Sequence, residues 1–169
     1  MEIRIDFEEL ERLQANYERS PEIVREELVR AVTEADLRIE REVQDGEAMT
    51  RATASGMLRA SIFHEERIEG LAVEGFVGSP LNYVQPVELG TRPHFPPIEP
   101  LIDWVRTRFP VRTDIEARGI AFLVARKISR VGTKGKEIFG KSLAAVEPQL
   151  DAIFAAAEQR IAARITGAA

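Results

Sequence analysis

Apolar residues recur at helical spacing through most of the chain and alternate with polar ones only in its middle. Phe7, Leu10, Leu13 and Tyr17 fall three or four apart, which predicts a short helix with Asp6 as its N-cap. Ser20-Pro21 supplies a second start signal, a capping hydroxyl followed by proline at the first helical position. From there Val24, Leu28, Val32, Ala35, Ile39 and Val43 make one apolar stripe as far as about Gln44, and Asp45-Gly46 ends it. Arg25, Glu26, Arg30, Glu34, Arg38 and Arg41 occupy the opposite side. So long a helix with one narrow stripe suits docking along a sheet or another subunit.

Residues 47–56 have small side chains and no period, and read as a loop. Leu58, Ala60 and Ile62 then alternate with polar neighbours, as do Leu71, Val73 and Val77 beyond a turn at Gly70, predicting two antiparallel strands. After Gly78-Ser79-Pro80, Tyr83–Leu89 reads as a third strand. Pro86 lacks a backbone donor there and assigns it to a sheet edge or a bulge. Pro93, Pro96 and Pro97 stiffen the loop that follows, so it holds an extended path.

Ile98, Leu101, Ile102, Trp104 and Val105 predict a helix to about Phe109, stopped by Pro110 and anchored in the core by Trp104. Asp114 caps another through Ile128, with Ile120, Leu123, Val124 and Ile128 inward. Gly132-Thr133-Lys134-Gly135-Lys136 interrupts. A last helix starts at Pro148 and carries Leu150, Ile153, Phe154, Ala157, Ile161 and Ile165. The expected class is α+β: a small antiparallel sheet of three to four strands against a long N-terminal helix and several C-terminal helices. It forms a single domain over residues 1–169, with a helical arm at 1–47, a core at 50–147 and a C-terminal helix at 148–169.

Composition changes this picture only at the margins. With 169 residues, 44% hydrophobic and 30% charged, the chain suffices for one ordinary soluble domain with a real core. It has no cysteine, which excludes disulfides and thiolate metal sites. Neither a secretory signal nor a membrane span is expected, because the first residues lack a basic and apolar run and no long apolar stretch occurs. Charge is unevenly spread. Residues 1–47 hold 15 acids and 7 bases, whereas Arg92–Lys141 holds 11 bases and 5 acids. Solvated helix faces explain this most simply; head-to-tail contact between copies is the sharper reading.

Candidate chemistry is sparse, and no enzyme is expected. His64 and His94 are the only histidines, and no pair of ligands has a zinc-site spacing. His64, Glu65 and Glu66 are strand neighbours whose side chains alternate across the sheet. Adjacent acids such as Glu8-Glu9 and Glu26-Glu27 face water on their helices rather than each other. The Gly132–Lys136 loop is not a phosphate loop, since two residues rather than four separate its glycines and a helix precedes it. No cofactor and no metal are expected. Glu88 stands at a sharp turn, where it either fixes the turn by accepting backbone N–H or Arg92 bonds, or pairs across a subunit boundary.

The segment Tyr83-Val84-x-x-Val87-Glu88-x-Gly90-Thr91-Arg92, continuing to Pro97 and Trp104, resembles the signature of a tailed-bacteriophage family. These are the neck or tail-completion proteins of the lambdoid coliphage tail-component type, similar to the minor tail protein Z group. Ser55-Gly56-x-Leu58-x-x-Ser61-Ile62 resembles the start of the family's sheet, with serine where threonine is commoner. Ile120 to Ile128 followed by Gly132-Thr133-Lys134-Gly135 resembles its helix and glycine loop. The likeness runs from about residue 50 to 147.

It implies a structural virion protein, made in the host bacterial cytoplasm and carried in the tail or neck, that joins heads to tails without catalysis. Its partners would be other neck, connector or tail-tube proteins and further copies of itself in a ring, which the family suggests is six-fold. DNA passing through the channel is a further partner, and a membrane is not. The partner-binding set is Tyr83, Glu88, Gly90, Thr91, Arg92, His94 and Phe95 with Gly132, Thr133, Lys134 and Gly135. The alternative is a small cytoplasmic nucleic-acid-binding adaptor or regulator using the basic 106–141 region.

Overall fold

Helices account for most of the chain, and their order follows the capping and glycine signals more closely than the strand signals. The computed structural model describes residues 7–52 and 56–167, and side chains within 11–49 and 56–167. Asp6 and Ser55 lie outside the described residues. The elements are α1 (Phe7–Glu18), α2 (Ser20–Asp45), α3 (Glu47–Ala52), α4 (Met57–Ala60), β1 (Phe63–Glu69), β2 (Ala72–Gly78), α5 (Val84–Leu89), β3 (Gly90–Thr91), α6 (Ile98–Arg108), α7 (Asp114–Val131), β4 (Thr133–Lys134) and α8 (Ile138–Thr166). The class is a mixture of helices and a small sheet with one long helix near the N-terminus, as expected. No described helix is long and apolar enough to cross a membrane.

The sheet differs from expectation. Among the described residues there are two separate two-stranded ladders, β1–β2 and β3–β4, and no sheet of three or four strands. The predicted third strand, Tyr83–Leu89, is helix α5. Pro86 sits in its first turn, where a missing N–H costs nothing because that turn's donors have no helical partner. Leu58 and Ala60 belong to the short helix α4, and the first strand starts only at Phe63. Residues 47–52 form α3 rather than a loop. The two-residue turn at Gly70 and Leu71 is where expected, with Gly70 at φ 62°.

Two compact units make up the chain, and α2 and α8 contribute to both. The first unit comprises the chain up to Glu40, His64–Val77 and the chain from Ala145. The N-cap of α2 is the Arg19 carbonyl, which accepts the Glu22 and Ile23 N–H groups, so Ser20 lies inside the helix. The buried side of α2 is Ile23, Glu27, Ala31, Val32, Ala35 and Asp36, rotated from the predicted stripe and including two acids. Glu27 is only 5% exposed, which corrects its assignment to the solvated face. Its two oxygens accept from Arg160 Nε at 2.6 Å and Arg164 Nη1 at 3.0 Å on α8, while Glu26 holds Arg164 Nη2 at 2.7 Å. Two arginines, one on each oxygen, offset the cost of taking the carboxylate out of water. Arg38 adds a hydrogen bond to Gln149.

The second unit comprises Arg41–Phe63 and Gly78–Ala144. Val43, Met49, Leu58 and Ile62 are buried there. Helices α6 and α7 close on Val105, Ala117 and Ala121, with Ile98, Leu101, Ile102, Trp104, Val111 and Ile120 around them. Alanines four apart let the backbones approach, and of the residues predicted inward Ile120 packs at the edge of this cluster, Val124 and Ile128 are half-buried and Leu123 is exposed. The N-cap of α7 is Thr113, not Asp114. Its hydroxyl accepts the Glu116 N–H at 3.2 Å, and the Glu116 carboxylate accepts the Arg112 N–H at 3.0 Å. Helix α8 begins ten residues before Pro148, because Ile138, Ser142 and Val146 are buried. That burial outweighs a proline penalty of about 3 kcal/mol.

The Arg160 hydrogen bond outweighs burial and, with Arg164, holds the Glu27 carboxyl below its usual 4.5. Its stabilisation is therefore complete above that value and is lost as pH falls through the folded pKa. Glu27→Gln is expected to cost roughly 1–3 kcal/mol at neutral pH, discounted for the partly solvated arginines. The difference from wild type should shrink in urea melts carried down to about pH 3.

Candidate functional site

The Glu88–Arg92 segment and the Gly132–Gly135 loop, far apart in sequence, cross each other at van der Waals limits. Gly90 pairs with Lys134 and Thr91 with Thr133 in an antiparallel register. Helix α5 stops because Gly90 takes φ 81°. A Cβ on Gly90 would lie 2.3 Å from the Thr133 carbonyl oxygen, and one on Gly132 would lie 2.0 Å from that of Thr91. A Cβ on Gly135 would meet the Glu88 carbonyl oxygen at 2.3 Å. All three obstacles are backbone atoms, so only glycine permits the crossing.

Hydrogen bonds close the crossing from both sides. The last carbonyls of α5, at Val87 and Glu88, accept from the Lys136 and Glu137 N–H groups at 2.8 and 3.1 Å. The Glu88 side chain reaches the start of α8, where Oε2 accepts the Phe139 N–H at 3.1 Å and Oε1 the Gly140 N–H at 3.2 Å. A carboxylate at a helix N-terminus also meets the positive end of its dipole. One segment thus satisfies the first turn of α8, and the other satisfies the last turn of α5. The Thr91 hydroxyl accepts the Thr133 N–H at 3.2 Å and lies 3.0 Å from the Thr133 hydroxyl.

The predicted partner-binding residues therefore divide. Glu88, Gly90, Thr91, Gly132, Thr133 and Gly135 build the crossing, and Tyr83 is the half-buried N-cap of α5. Arg92, His94, Phe95 and Lys134 are exposed around it. His94 Nδ1 is 2.9 Å from the Arg92 carbonyl, a bond that braces the proline loop. The Phe95 ring meets Phe122 of α7 at a centroid distance of 6.1 Å, while Trp104 and Phe109 pack edge to face at 5.7 Å.

Three of the ten basic residues in 106–141 pair with acids of the same chain. Arg106 bonds Asp103 and Asp114 at 3.2 and 2.8 Å, Arg118 lies 3.7 Å from Glu99, and Lys141 lies 3.2 Å from Glu137. Sequence reasoning passed over Thr113-x-x-Glu116, although that spacing is a known helix-start signal. It also passed over Asp36 and Arg160, which carry no local signal.

A second polar cluster lies in the first unit. Asp36 is 4% exposed, and its Oδ2 has no hydrogen-bond partner. The hairpin approaches it so closely that a Cβ on Gly75 would stand 2.2 Å from Asp36 Oδ1. His64 Nδ1 bonds the Glu40 carboxylate, which places His64 against α2. Among the described residues no three histidine, aspartate or glutamate side chains are arranged to hold a metal ion. Burial raises the Asp36 pKa above its usual 3.8, reinforced by Glu66 and opposed by His64. The Glu40 hydrogen bond raises that of His64 above 6.5, against burial and with help from Glu40, Glu66 and Asp36 charges.

No protein-family model, curated protein or solved structure matches the chain.

Gly135→Ala is expected to destabilise by about 1–3 kcal/mol, as an overpacked contact does. Glu88→Ala should cost about 1 kcal/mol, as the loss of a helix cap does. Hydrogen exchange should show lost protection at Phe139 and Gly140 in the second variant. Both groups in the polar cluster favour the folded state when protonated. Asp36 subtracts stability as pH rises from 3.8 through its folded pKa, and His64 contributes stability below 6.5 that is lost as pH rises through its folded pKa. Asp36→Asn should accordingly stabilise the fold more at pH 8 than at pH 4, by an amount on the order of 1 kcal/mol in urea melts.

Proposed function

We propose that this chain is a non-enzymatic assembly protein of a tailed bacteriophage or prophage, acting where heads are joined to tails. One observation carries the reading. Two segments that resemble the tail-completion family, Glu88–Arg92 and Gly132–Gly135, form one glycine-dependent crossing, from which the proline loop leads off at the surface. A loop whose ordering cost is met during folding loses little entropy on docking, which favours protein recognition. Arg92 and Phe95 stand exposed on it, the residue types that dominate interface energetics.

A catalytic role finds no support in the same segment. Both Glu88 oxygens are committed to α8, and His94 is committed to a backbone carbonyl. The protein would sit in the neck of the virion, against connector or tail-tube proteins and other copies of itself, in a ring for which the resemblance suggests six-fold symmetry. Nucleic-acid binding through 106–141 is the weaker reading, because Arg106, Arg118 and Lys141 pair with acids of the same chain.

Deleting the coding gene from the phage or prophage that carries it is expected to leave heads and tails unjoined. Purified protein added to that lysate should rejoin them, as counted in negative-stain images. The Arg92→Ala, Phe95→Ala double variant should keep its melting temperature and lose about tenfold or more in rejoining, the scale of a lost interface anchor. Joined particles in the deletion lysate would overturn the proposal, as would DNA binding by the isolated chain that is tight and steeply salt-dependent.

A further inference from the structure

Helix α1 is amphipathic, and among its described side chains Leu13 is exposed and Tyr17 is 69% exposed. Twelve residues make a marginal helix in water when no apolar face is covered. Its composition is acidic, with Glu8, Glu9, Glu11 and Glu18 against Arg12 alone.

Helix α7 offers the complement. Its alanine side is buried, but Ile115, Phe122 and Leu123 share the opposite side at spacings of seven and one, and Ile115 is 86% and Leu123 63% exposed. Gly119 lies between them, and a Cβ placed there would meet nothing within 4 Å, so the face has a notch. Phe95 extends the patch through its contact with Phe122. Arg126, Lys127 and Arg130 are exposed at the end of the same helix. One feature is an acidic helix with an open apolar stripe, and the other is a basic-ended helix with an open apolar face.

We propose that the exposed face of α7 takes α1 of a second copy of this chain, apolar stripe on apolar face, with the glutamates of α1 beside the basic end of α7. The proposal rests on the assembly reading only in that copies of the chain meet. About 18 Å of α1 covers the roughly 12 Å between Ile115 and Leu123, at the helical rise of 1.5 Å per residue. Opposite charge sets the partner, since a basic helix would be repelled from this face. When each copy gives α1 to one neighbour and α7 to another the contact is heterologous, and it builds a ring where the rotation per copy closes and a filament where it does not.

Light scattering on the purified chain tests this without any phage component, so its outcome is independent of the head–tail joining assay. Wild-type mass should rise with concentration and fall back as salt screens the charges. Two double variants, Leu13→Glu with Tyr17→Glu and Phe122→Glu with Leu123→Glu, should each be monomeric while keeping wild-type circular dichroism. Mixed together they should form a one-to-one heterodimer, because one intact α1 then meets one intact α7 face. A wild-type chain that stays monomeric at every concentration overturns the proposal. So does self-association that survives both variants, or a mixture of folded variants that remains monomeric.

Discussion

The crossing of Glu88–Arg92 with Gly132–Gly135 is the constraint on which the second unit depends. Three glycines allow two backbones to meet at distances that any side chain would forbid. That closeness lets each segment complete the hydrogen bonding of a helix belonging to the other. Val87 and Glu88 carbonyls are satisfied by Lys136 and Glu137, and the Glu88 carboxylate satisfies Phe139 and Gly140. Helix ends are costly to leave unpaired, so α5 and α8 terminate as they do because the other segment is present. A six-residue helix such as α5 has no stability of its own to lend.

The first unit is organised by acids rather than by a uniformly apolar stripe. Glu27 is buried yet fully engaged by two arginines, and Asp36 is buried with one oxygen unpaired. These two carboxyls have opposite linkage. Pairing makes the ionised form of Glu27 the native one, whereas burial makes the protonated form of Asp36 the favoured one. The unit therefore gains from ionising one acid and loses from ionising the other. The His64–Glu40 pair adds to the preference for protons beside the hairpin.

Among the described residues Glu27 and Asp36 are buried and Glu88 caps α8, whereas Arg92, His94 and Phe95 of the proline loop and Ile115, Phe122 and Leu123 of α7 are exposed. The apolar face of α7 exists because its alanine side is the one that fits α6, which leaves the larger residues facing outward.

The sequence by itself determined the elements with strong local signals. Helices α1, α2 and α6 run nearly as predicted, the Gly70 turn is in place, and the glycine loop after α7 breaks the chain where expected. Each rests on spacing or turn chemistry within a few residues. It also singled out Glu88, but left it between fixing its own turn by backbone N–H or Arg92 bonds and pairing across a subunit boundary, whereas it accepts from the start of α8. Tertiary structure decided the rest, because the deciding partners are remote. Tyr83–Leu89 is too short for its period to separate strand from helix, and the loop some 45 residues later settles it as α5. The early half of α8 is helical because Ile138 and Val146 are buried, against a proline that reads as a start. Glu27 enters the interior because arginines 133 and 137 positions away come to meet it. Periodicity records which side of a helix is apolar, but only the assembled chain determines which charges are neutralised and can be buried.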